Sequence, residues 1–187
     1  MKTSPTLLIA ALCAVFVGAV HGQTATSAKL SNAFSFNYDA QNDRISTGVQ
    51  LKPTATSAAG AAANTTGTIV VTINIDLVSK FASSVTYHCS VAVIGGELDT
   101  GNDAVAGGME TASEAASGKT TKSCTLTIPY SWTLPADSKA ETGLILAFGV
   151  GAVSSSGTVL RSTLQVDGIE SLPATGTKST YTFDATL

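Results

Sequence analysis

Two-residue alternation runs through the middle of this chain and carries two cysteines on its apolar side. In TIVVTINIDLV, Ile69, Val71, Ile73, Ile75 and Leu77 oppose Val70, Thr72, Asn74 and Asp76. VTYHCSVAVI aligns Val85, Tyr87, Cys89, Val91 and Val93, and KSCTLTIPYSW aligns Cys124, Leu126, Ile128, Tyr130 and Trp132. A period of two is the signature of a half-buried strand, and the β-branched residues suit its pleated surface. Both cysteines share the apolar parity of their strands, as a bridge through a core requires. A Cys89–Cys124 disulfide is therefore expected, closing a loop of about 35 residues and contributing on the order of 3 to 4 kcal/mol.

The N-terminus supplies the compartment such a bridge needs. MKTSPTLLIAALCAVFVGAVHGQ has a positive start at Lys2, an apolar stretch from Leu7 to Val20, and small residues at Val20 and Gly22 before Gln23. This is the layout of a cleaved secretory signal over 1–22, leaving one domain over 23–187. The apolar stretch is shorter than the ~20 residues that span a bilayer, and no later run is longer, so no membrane span is expected after cleavage. The expected location is extracellular, at the cell surface, or periplasmic in a bacterium. A net charge of −3, one unit more negative without Lys2, offers no basic surface and sets nucleic acid aside as a partner.

The flanks repeat the strand pattern. AFSFNYD and RISTGVQLK alternate around the turn-forming QND at 41–43 and predict a hairpin. GLILAFGVGAV is apolar on both faces, a fully buried strand whose Gly149 and Gly151 mark a bulge or a close approach. TVLRSTLQVD and STYTFDATL complete the set. Two segments, 53–68 and 95–121, are too rich in small and polar residues for a core face and are read as long loops. No stretch carries a sustained helical stripe. The fold class predicted is all-β: a single antiparallel β-sandwich of immunoglobulin-like architecture with about eight strands and one disulfide. Trp132 follows Cys124 rather than lying between the cysteines, which separates the chain from antibody domains.

Catalytic signals are few. The loop segment GELDTGND contains Asp99-Thr100-Gly101, which resembles the catalytic triplet of aspartic proteases. That resemblance implies a carboxylate pair, and a single triplet per chain implies a homodimer in which Asp99 meets its copy. The competing reading is a polar turn opening the long loop, a place where sandwiches carry recognition. Glu97, Asp99, Asn102 and Asp103, with Glu110 and Glu114 further on, could also supply oxygen ligands to calcium, although their spacing is not that of an EF-hand. His88 is the one histidine beyond the signal, and no Gly-x-Ser-x-Gly elbow accompanies it. Tyr130 and Trp132 read either as a glycan-stacking platform or as core beside the bridge, and parity favours core. Asn64-Thr65-Thr66 is an N-glycosylation sequon.

These features favour a secreted, non-enzymatic domain acting by surface contact: adhesion, a matrix or filament subunit, or recognition of a protein or glycan, with self-association as one form. The alternative is a secreted hydrolase, most specifically the homodimeric aspartic protease using Asp99. Chaperone-assembled pilins share export, a disulfide and a sandwich, but residues 23–30 are too polar to form their donor strand.

Overall fold

A computed structural model describes residues 26–29, 35–48, 63–98, 105–116, 122–134, 142–169 and 171–187. The signal predicted over 1–22 lies outside them. The described residues form ten strands and no helix: β1 (Thr26–Lys29), β2 (Ser35–Asp39), β3 (Arg44–Thr47), β4 (Ala63–Asp76), β5 (Thr86–Leu98), β6 (Val105–Ala115), β7 (Lys122–Leu134), β8 (Thr142–Val153), β9 (Val159–Ile169) and β10 (Thr177–Thr186). They make three sheets, ordered β1-β2-β3, β10-β4-β7 and β6-β5-β8-β9.

The sandwich is formed by the second and third sheets. Ile69, Val71, Ile73 and Ile75 of β4, with Leu126, Ile128, Tyr130 and Trp132 of β7, bury one face against Val91, Val93, Leu144, Leu146, Phe148 and Val150 of β5 and β8. Cys89 on β5 and Cys124 on β7 join the two sheets through this core, with Cα atoms 6.3 Å apart. Both cysteines sit on the buried side of their strands, as the alternation predicts.

Three expectations need correction. The sandwich is not wholly antiparallel: β10 runs parallel to β4, from Thr177↔Gly67 to Thr186↔Asp76. A parallel neighbour needs a crossover rather than a hairpin, and β10 arrives from β9 in the opposite sheet. A third layer is present as well. Phe36, Tyr38, Ala40 and Ile45 of the β2–β3 hairpin pack on Ala92, Ile94, Ile145, Ala147 and Leu164, the outer face of the four-stranded sheet. Covering on both sides is why β8 reads as apolar on both faces. Gly149 admits this layer, since a β-carbon there would sit 2.5 Å from the Tyr38 ring.

The third correction concerns the loops. Residues 63–68 open β4, and most of 95–121 is strand: Gly95–Leu98 continue β5, and Val105–Ala115 form β6 in an antiparallel ladder with it. The small residues that argued for a loop are there because Trp132 is large. Gly95 and Gly108 face each other across that ladder, and a β-carbon on either would overlap the indole. Thr65 is likewise buried directly opposite Trp132. Residues 53–62, 99–104 and 117–121 lie outside the described set.

Candidate functional site

The turn at Ala40–Asp43 carries a polar cluster that reaches β5. Asp39 opens it, its Oδ1 accepting from the backbone N–H of Gln41 at 3.1 Å and of Asn42 at 3.2 Å. Asp43 closes it at φ 51°, a left-handed conformation that Asp tolerates better than bulkier residues do. That conformation accompanies a carboxylate lying against β5. Ser90 Oγ donates to Asp43 Oδ1 at 2.5 Å, His88 Nδ1 lies 3.3 Å from Oδ2, and the Tyr38 hydroxyl reaches Oδ1 at 3.4 Å.

Burial pushes the Asp43 carboxyl above its ordinary range, and the Ser90, His88 and Tyr38 contacts pull it partly back. The Tyr38 phenol is driven far upward, first by burial and then by the Asp43 charge. Asp39 moves the other way, lowered chiefly by the Asn42 side-chain amide.

Serine, histidine and aspartate meet here, but in the wrong order for acyl transfer. A nucleophilic relay requires imidazole between the hydroxyl and the carboxylate. In this cluster both Ser90 and His88 address the carboxylate, and Ser90 is only 2% exposed. The adjoining cavity, about 160 Å³ and lined by Asp43, Arg44, Ile45, Ser90 and residues of β6, is smaller than the ~300 Å³ at which ligand pockets begin. The cluster fastens the third layer to the central sheet.

Glu97 lies in β5, its backbone paired with Ala106 and Thr142, while Asp99, Asn102 and Asp103 lie outside the described residues. Glu110 and Glu114 belong to β6 rather than to a loop, and the Glu114 carboxylate accepts from the Thr125 backbone N–H on β7. Among the described residues, no three His, Cys, Asp or Glu side chains gather at one point. Tyr130 and Trp132 are buried and stacked at 4.3 Å, so they form core and not a sugar platform.

A further surface lies on the outer side of the β10-β4-β7 sheet. The residues alternating with its core positions are mostly hydroxylic. The ladder registers set Thr182, Thr72 and Thr125 in one row and Thr180, Val70 and Thr127 in the next. Thr66, Ser131 and Thr133 extend the face, and Thr72 and Thr125 approach through their hydroxyls at 3.4 Å. Charge is confined to its margins at Lys178, Asp76 and Asp184, the last accepting from the Asn74 amide at 3.0 Å. Asn64 is exposed at one end of this face, its side-chain oxygen accepting from the Thr133 hydroxyl at 3.0 Å. The signal was present as the polar half of each alternation; it is hidden until the register shows three such halves side by side.

Comparison with known proteins found no matching family, no matching curated protein and no matching solved structure.

Proposed function

We propose that this chain is a secreted, non-enzymatic β-sandwich that acts by surface contact, with the hydroxyl-lined face of the β10-β4-β7 sheet as its contact surface. The observation that carries the reading is that face: a row of three threonines across three strands, a second of Thr180, Val70 and Thr127, and charge among the described residues at the rim. Uncharged hydroxyls both donate and accept, and their methyl groups add apolar area, so such a face suits a protein or glycan partner at a cell surface or in a matrix. The inter-sheet disulfide and the N-terminal pattern support export and an immunoglobulin-like architecture. In a eukaryotic secretory pathway, Asn64 would be the glycan acceptor.

The test is binding of the mature chain, residues 23–187, to arrayed glycans and to purified matrix proteins, beside a Thr72→Lys/Thr182→Lys variant. The expected result is binding that the variant loses while its melting temperature stays within a few degrees of the parent. Binding that survives both lysines, or no binding to any arrayed partner, would overturn the reading. N-terminal sequencing of the exported protein should begin at Gln23.

A further inference from the structure

We infer that the end of the sandwich bearing the 77–85 connection docks on an anionic lipid surface, with Leu77 and Val78 entering the headgroup layer and Lys80 and Arg161 meeting its phosphates. The inference goes beyond the hydroxyl-face reading and uses a different part of the molecule.

Among the described residues three large apolar side chains are exposed: Leu77 at 36%, Val78 at 68% and Leu160 at 48%. Scattered singly over a surface, such residues need no explanation. These are gathered at one end. Leu77 and Val78 follow the last residue of β4, and Leu160 is the second residue of β9. The two strand ends are neighbours, since Arg161 lies over the Phe81 ring, 5.9 Å from its centroid. The backbone holds Val78 where it is presented. Its N–H donates to Leu187 O at 2.8 Å and the Leu187 N–H donates to Asp76 O at 2.9 Å, so the root of the connection continues the β4–β10 ladder.

Cations surround the same apolar tip. Beneath Arg161, Phe81 meets Tyr87 edge to face at 6.0 Å, and Lys122 Nζ lies 5.4 Å from the Tyr87 ring centroid. Lys80 is exposed between Val78 and Phe81. The segment from Leu77 to Val85 contains no acid, and Asp76 stands before it as the last residue of β4. The negative net charge of the chain conceals this local excess of cations.

The combination selects the partner. Leu and Val are under-represented among the residues that anchor protein interfaces. A soluble polyanion would engage the cations and leave the aliphatic side chains in water. An anionic bilayer uses both, burying apolar side chains below the headgroups while Lys and Arg keep their charges at the phosphates. Docked in this way the strands stand end-on to the bilayer, and the hydroxyl face of the β10-β4-β7 sheet stays free at the side.

Co-sedimentation of the mature chain with vesicles tests the docking, using phosphatidylcholine alone and an equal mixture of phosphatidylcholine and phosphatidylglycerol. The expected result is binding to the mixed vesicles only, weakened about tenfold or more by Val78→Ser and by Lys80→Glu. Both side chains are exposed, so the variants should melt with the parent. Val78→Trp adds a spectroscopic readout: its fluorescence should shift to the blue on the mixed vesicles, against the constant signal of buried Trp132. No binding to the mixed vesicles, binding indifferent to Val78→Ser, or no blue shift from Val78→Trp would overturn the inference. The assay on the hydroxyl face is independent. A chain that binds vesicles as described and no arrayed partner overturns only the hydroxyl-face reading, and the reverse result overturns only the docking.

Discussion

Trp132 sets the residue types at several positions distant from it in sequence. Its indole occupies the space of side chains at Gly95 and Gly108, so Gly108→Ala must displace the ring or the strand beneath it. A loss of roughly 1 to 3 kcal/mol is expected, read as a lower urea midpoint at unchanged slope. Its stacking partner behaves oppositely. The Tyr130 hydroxyl is buried with no hydrogen-bond partner among the described residues, so Tyr130→Phe should leave stability unchanged or raise it in the same assay. The two hairpin carboxylates also diverge. Asp43, raised by burial, contributes stability that is present below the ordinary carboxylate value of 3.8 and lost as pH rises through its folded value. Asp39, lowered by its Asn42 contact, contributes stability above 3.8 that is lost as pH falls through its folded value. Asp43→Asn should therefore remove a gain in stability on acidification, and Asp39→Asn a loss; melts across pH 3 to 7 distinguish them. The bridge was legible at this scale because parity is local. The glycines were not, because what they accommodate is a ring about thirty residues away.

Among the elements, β6 marks where composition misleads. Its sequence, VAGGMETASEA, lacks a strong apolar stripe and reads as a polar connection. It is a strand because β5 offers a long ladder and the core beneath needs little volume once Trp132 is in place. Hydrogen exchange should accordingly show the ladder-bonded amides of Val105–Ala115 protected well beyond loop rates, and rapid exchange along the whole segment would contradict the ladder. The strands legible in the sequence were β2, β3, the apolar part of β4, β5 and β7 to β10; of these, β4, β5, β7 and β8 place their apolar residues against large neighbours, so their pattern needs no partner to be seen. The parallel placement of β10 was not legible, since alternation carries no information about which neighbour a strand joins or in which direction.

For the molecule as a whole, the third layer makes the four-stranded sheet an interior element. Ala92, Ile94, Ile145 and Ala147 would face solvent without the hairpin that bears Phe36 and Tyr38. Phe36→Asp should detach that hairpin while the disulfide-linked sandwich persists: dye binding to apolar surface should rise, and the near-ultraviolet signal of Trp132 should remain. Loss of the Trp132 signal in this variant would mean that the three layers fold as one unit. The disulfide has a further consequence. β6 lies wholly between Cys89 and Cys124, so the covalent ring that the bridge closes includes that entire margin of the sandwich. A protease that cuts once anywhere inside this ring produces no separate pieces. The nicked chain should migrate as a single band on a non-reducing gel and split in two only when a reductant is added.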